Sequence, residues 1–292
     1  MVIYKAYISN CPILGETMGK VEGKLILNEI KLHLGNYDLN IIEEPQIVLN
    51  NFGKFKGQPV HTTDLLIEDI PESEFNDAEE LSTEVASLLS LATCSMVSKF
   101  GYEFGAERTE YSIFGQLLYF RPLLDTKNGS LIRRFLEGAW PVYHSLKVSR
   151  KLNIAFQYFV WSQLNEQPIE LSLVTTFVLY ENLKHTFAIQ QGYPFIREFF
   201  RPHGATTPNT RTKGFKELLR EMFNTVGMVP NLDGIISLRN ELVHSGISNL
   251  NLHEYIDIYS DCHDILREYL LKVLKYKGPY FPYSSPNQPI VI

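Results

Sequence analysis

The hydrophobic period changes along this chain, and that change limits the fold more than any other feature. Within residues 1–70, the segments MVIYKAYIS, KLILNEIKLHL and HTTDLLIEDI alternate β-branched and aromatic residues with polar ones. That pattern of two suits strands with one buried face. LGNYD, NNFG and KGQP separate them as turns. NDAEELSTEVASLLSLATCSM (76–96) then takes up helical spacing, with Leu81, Val85, Leu88 and Leu89 on one face. VSKFGYEFG and TEYSIFGQLLYFRP return to strand character, and DTKNGS (125–130) is a turn cluster that suits a boundary. Beyond it the spacing predicts helices over 130–138, 141–164, 169–190, 214–227, 234–247 and 251–276. Pro141, Pro168, Pro194 and Pro230 fall between these segments or at their starts, where proline does least harm. Strands followed by helices imply an α+β chain: a β-rich N-terminal domain over 1–128 and an all-α bundle over 129–292.

Composition removes several classes of function. The net charge of −6 lies in the first 150 residues, while the remainder is neutral, so the chain lacks the charge of a strongly basic nucleic-acid binder. One local exception is 196–220, where Arg197, Arg201, Arg211, Lys213, Lys216 and Arg220 face only Glu198 and Glu217. A solvated loop and helix face explains it without function, while a nucleic-acid contact would use Arg201, His203, Arg211 and Lys213. Cys11, Cys94 and Cys262 are far apart and form no CxxC, which predicts neither a disulfide framework nor a zinc site and favours a reducing compartment. The N-terminus lacks the pattern of a signal peptide, and no apolar run reaches the roughly 18 residues of a membrane helix. A cytoplasmic protein is expected. A Walker A loop, GxGxxG, HExxH and GxSxG are all absent, and Cys262–His263 has no second pair to complete a metal site, so neither cofactor nor metal is expected.

SLRNELVHSG (237–246) carries three costly polar groups in a helix that otherwise reads as buried. With Ile235 at zero and about 100° per residue, Ile236, Leu238, Leu242 and Val243 form a stripe centred near 20°. Arg239 falls at about 40°, inside that stripe, whereas Asn240 and His244 lie together on another face. A cation on an apolar face needs an anion. The 169–190 helix is apolar almost all round, and beyond its first turn Glu181 is the acid within that apolar stretch, so Glu181 either pairs with Arg239 or remains a surface carboxylate. Arginine suits phosphate, histidine can move a proton near neutrality, and asparagine can orient either. Together these groups could cleave RNA without a metal, or could form a buried polar network.

RNELVH (239–244) resembles the Arg-Asn-x-x-x-His motif of HEPN domains. LYENL (179–183) resembles the earlier buried helix of that family, and LLSLATCSMVSKFGYEFG resembles the end of the first domain in Apea-like HEPN proteins. The HEPN resemblance covers about 140–277 and implies a helical bundle there. It implies a metal-independent endoribonuclease in prokaryotic antiviral defence or a toxin–antitoxin system, acting on RNA as a homodimer with a composite site. It further implies that Arg239 binds phosphate, Asn240 orients, His244 is the acid/base residue and Glu181 supports Arg239. Other HEPN domains are non-catalytic scaffolds that bind a nucleotide or a partner protein. Under either reading the N-terminal domain is expected to recognise a regulatory protein or ligand.

Overall fold

A computed structural model describes residues 2–21, 23–50, 52–118, 121–164 and 166–292. Met1, Asn51, Tyr119 and Phe120, which belong to segments read above, lie outside them. The chain is mixed α+β and divides into two units: Met1–His144 with Leu274–Ile292, and Ser145–Val273. The expected division at 128/129 is displaced to 144/145, and the C-terminal segment belongs to the first unit.

A seven-stranded antiparallel sheet organises the first unit. Its strands are β1 (Val2–Ser9), β2 (Thr17–Val21), β3 (Lys24–Leu34), β4 (Tyr37–Glu43), β5 (His61–Ile70), β6 (Ser98–Phe104) and β7 (Glu107–Glu110), in the order β2-β3-β4-β5-β1-β6-β7. α1 (Pro45–Asn50) connects β4 towards β5. α2 (Phe75–Thr93) packs on β1, β5 and β6, and the face expected from its spacing is buried: Leu81, Val85, Leu88 and Leu89. The Tyr4 hydroxyl on β1 lies 3.3 Å from Ser82 Oγ of that helix.

β4 begins directly after a two-residue turn. Leu34 pairs with Tyr37, and Gly35 takes φ +63° between them. Glycine reaches that backbone region without the clash other residues suffer, which suits a tight hairpin. LGNYD therefore holds the expected turn, but its last two residues already belong to a strand. TEYSIFGQLLYFRP contributes only the end of β7, and its described remainder is irregular.

α3 (Gly129–Leu146) contains Pro141, where a helix break was expected. Pro141 is exposed, and the helix runs on without the hydrogen bond that its missing N–H would have given. The break comes instead at 147–151, where Lys151 takes φ +46°. Contacts with the β1–β2 connection explain why α3 belongs with the first unit. A Cβ on Gly129 would sit 2.6 Å from the Gly15 carbonyl carbon, so only glycine permits the approach. Arg133 Nε donates to Glu16 Oε1 at 3.0 Å, and Leu14 N donates to Thr126 O at 2.8 Å. The C-terminal segment is tied on by Phe281 N to Leu123 O at 2.9 Å and by Arg121, which donates to the Tyr283 carbonyl and lies over its ring.

The second unit contains α4 (Leu152–Trp161), α5 (Ile169–Gln190), α6 (Phe215–Asn224), α7 (Asp233–Ser245) and α8 (Leu252–Val273). It is not purely helical, because Phe195–Ile196 (β8) and Phe199–Phe200 (β9) form a small hairpin. A second small pair, β10 (Pro279–Tyr280) with β11 (Ile290–Val291), lies in the first unit. α5 is central, packing against α4, α6, α7 and α8 and burying Leu173, Phe177, Leu179, Tyr180 and Leu183. Buried polar groups punctuate this core. Arg150 donates to the Tyr269 hydroxyl at 2.8 Å and to the Leu183 carbonyl, while His263 lies between Phe159 and Tyr259. No helix among the described residues is long and apolar enough to cross a membrane.

Candidate functional site on α5, α6 and α7

α7 ends where Gly246 takes φ +72° and its N–H closes on the Leu242 carbonyl, the helix terminus that SG signals. Ile235, Leu238 and Leu242 are buried on this helix, whereas Val243 is half-exposed. The buried stripe is thus narrower than its apolar residues suggested and turns away from Val243. Arg239 consequently sits at the edge of the stripe rather than in its middle, with 20% of its side chain exposed.

From that edge Arg239 Nη2 donates to Glu181 Oε1 of α5 at 2.7 Å, so the expected pairing forms. Sequence reasoning missed two further members of the cluster. Lys184, one turn along α5, donates from Nζ to Glu181 Oε2 at 2.5 Å. Phe215, the first residue of α6, has its ring 5.0 Å from the Arg239 guanidinium carbon and 5.3 Å from the Lys184 ammonium. Two cations thus share one carboxylate over one aromatic ring. Lys184 was recoverable from its i,i+3 spacing to Glu181; Phe215 had no local signal.

The remaining donors of Arg239 bear on what it can do. A guanidinium has five N–H groups. One bonds Glu181 and another, on Nη1, bonds Asn240 Oδ1 at 3.0 Å. Nε is buried without a hydrogen-bond partner among the described residues. Asn240 is exposed, and with its oxygen engaged it can still offer its NH2 group. His244 is exposed on the last turn of α7. It lies about 140° around the helix from Arg239, so the two are not brought together within one chain.

The four basic-loop candidates separate in the structure. Arg201 is 6% exposed, and its Nη1 donates to the Thr210 carbonyl, which makes it a loop brace rather than a surface cation. Lys213 is also withdrawn: its ammonium bonds Glu217 at 3.1 Å and Glu221 more closely, and lies 4.7 Å from the Tyr193 ring. Burial pulls its pKa down, but the two carboxylates outweigh that and hold it above the ordinary lysine value. Arg211 is exposed but bonds Glu217 at 2.5 Å. His203 is exposed and stacks on Tyr193 at 4.3 Å. Lys216 pairs with Asp233 at 2.5 Å. The positive excess counted over 196–220 is therefore offset by about half, because Glu221 and Asp233 lie beyond that window in sequence but pair with Lys213 and Lys216 in space.

Glu44, His61 and Asp64 of the first unit are the one group among the described residues whose ligand atoms converge closely enough for a metal ion. Lys5 Nζ already sits 2.7 Å from Asp64 Oδ2, and His61 Nε2 lies 3.0 Å from Asp64 Oδ1. Burial raises the Asp64 pKa, but bonds from His61 and Lys5 prevail and lower it. An ion there would have to displace an ammonium, so these residues read as an ion-pair cluster. Comparison with known proteins adds no assignment: no family model, no curated protein and no solved structure matches this chain.

Proposed function

We propose that the second unit is a HEPN-type bundle and that the chain is a metal-independent RNA endonuclease acting as a homodimer. The observation that carries this reading is the α7 arrangement. Arg239 is held by Glu181 with one positive charge in excess once Lys184 is counted, beside exposed Asn240 and His244. In this reading the 2′-hydroxyl gives its proton to the His244 imidazole and its oxygen attacks the adjacent phosphorus. The bond to the 5′-oxygen breaks, that oxygen takes up a proton, and a 2′,3′-cyclic phosphate and a 5′-hydroxyl remain. Arg239 stabilises the charge on the phosphorane. Because Arg239 and His244 diverge around one helix, one phosphate is gripped by residues of two chains. A nuclease of this kind fits prokaryotic antiviral defence or a toxin–antitoxin system, with the first unit recognising a partner or ligand.

One observation favours a second reading, a non-catalytic HEPN scaffold: Arg239 is already engaged by an ion pair and an aromatic ring. Cleavage of a mixed RNA pool by wild type and by His244→Ala separates the two. The nuclease reading expects cleavage by wild type and loss in the variant; activity that survives in His244→Ala overturns the assigned role.

A further inference from the structure

The first unit contains a cavity of about 290 Å³ between the β3–β4 hairpin, α2 and α3. Its charge is one-sided. Asp77, Glu80 and Glu84 line it from α2, spaced three and four residues apart so that they share one helix face. Neither lysine nor arginine lines it among the described residues. The other walls are rich in rings: Tyr37, Trp140 and His144.

Glu84 organises this wall. Its side chain is only 4% exposed; Oε2 accepts from Trp140 Nε1 at 2.6 Å, and Oε1 lies 2.9 Å from His144 Nδ1. One buried carboxylate thereby fixes an indole and an imidazole whose centroids are 5.2 Å apart. Gly35 limits the opposite side. A Cβ there would stand 3.0 Å from Trp140 Cη2, so the hairpin packs tightly on the indole and a side chain at residue 35 would have to push the ring back. Tyr37 donates to Glu74 Oε2 at 2.9 Å; burial and Glu74 push its pKa up to about 12, so it stays a neutral phenol.

These features select the ligand class. An anion would face three carboxylates with no guanidinium or ammonium to receive it. A single metal ion is also a poor fit, since these carboxylates do not converge on one point as the Glu44 group does. An organic cation gains from both kinds of wall, because carboxylates pair with its charge and aromatic rings accept it. The volume is near the lower end for small-molecule sites, which favours a compact ligand. We propose that this cavity binds a small organic ammonium ion, with Asp77 and Glu80 pairing with its charge and Trp140 supplying aromatic surface. This inference stands apart from the ribonuclease reading and shares no residue with it.

The test uses the full chain carrying Trp161→Phe, which leaves Trp140 as the sole indole. Indole fluorescence is followed during titration with 1,4-diaminobutane and with 1,4-butanediol and succinate, which match its length but lack its charge. The expected result is a saturating change with the diamine alone. Asp77 and Glu80 are exposed, so Asp77→Asn combined with Glu80→Gln keeps the fold, and the pair should weaken diamine binding about two- to tenfold. Raising NaCl to 0.5 M should weaken binding to the unmutated cavity as well, since a screened charge is attracted less. Absence of saturation overturns the proposal. So does an equal response to butanediol, tighter binding of succinate, or diamine affinity indifferent to both salt and the double substitution.

Discussion

Replacing Arg239 by alanine removes a cation from a carboxylate that keeps a second one, and this decides the size of the effect. At an effective dielectric of about 20, charges about 4 Å apart attract by roughly 4 kcal/mol before desolvation and side-chain entropy are subtracted. The pair is part-exposed, at 20% for Arg239 and 36% for Glu181, so solvent screening brings the net contribution down to about 1 kcal/mol. A deeply buried pair broken on one side would cost about 3–5 kcal/mol, because the survivor is left uncompensated. Here Lys184 compensates Glu181, so Arg239→Ala should cost about 1 kcal/mol, a fall of about 2–4 °C in Tm. Glu181→Ala should cost more, because it leaves Arg239 and Lys184 facing each other across Phe215 with no anion between them. Urea denaturation of wild type, both single variants and the double variant gives the coupling directly. The expected order is wild type, then Arg239→Ala, then Glu181→Ala, with a coupling of about 1 kcal/mol that shrinks in 1 M NaCl. Zero coupling, or a greater loss in Arg239→Ala than in Glu181→Ala, would refute this reasoning.

Three other outcomes follow from buried groups. Burial, with Arg267 nearby, holds His263 well below its ordinary pKa of 6.5, so the unfolded chain takes up a proton there before the native chain does. Stability should therefore fall as pH drops below about 6.5, by up to about 1.4 kcal/mol per unit, and His263→Gln should flatten that limb in urea titrations at pH 7 and 5.5. Burial pushes Glu43 far the other way, above its ordinary 4.5, with only the Thr63 hydroxyl bond opposing. Its contribution is complete below 4.5 and declines as pH rises, so the isosteric Glu43→Gln should be relatively most stabilising at the alkaline end of a pH series of melting curves. Leu179 is fully buried on α5, and Leu179→Ala should cost about 2–5 kcal/mol by calorimetry; a loss under 1 kcal/mol would mean that α5 is not the core of its unit.

What could be read from the residues depended on the range of the determining contact. The α2 face was legible because Leu81, Val85, Leu88 and Leu89 are buried at the helical spacing that announces them. The Arg239–Glu181 pair was legible for a related reason: a cation beside an apolar stripe needs an anion, and α5 offered one in its apolar stretch. β4 was hidden because its hairpin turn is only two residues long, so the turn signal masked the strand behind it. The helix break at 147–151 has neither glycine nor proline to mark it, whereas Pro141 suggested a break that α3 does not make. The unit boundary was set by approaches such as Gly15 to Gly129, which no local pattern encodes. The charge of the basic loop was overcounted for the same reason, since Glu221 and Asp233 offset about half of it from outside the sequence window. The acidic cavity of the first unit was invisible because its walls come from three separate elements.

The most direct test of the ribonuclease account is the end chemistry of RNA cut in the presence of EDTA, read by mass spectrometry for wild type and His244→Ala. The account predicts 2′,3′-cyclic phosphate and 5′-hydroxyl ends from wild type and intact RNA from the variant. Linear 3′-hydroxyl ends, dependence on added metal, or equal cleavage by the variant would contradict it.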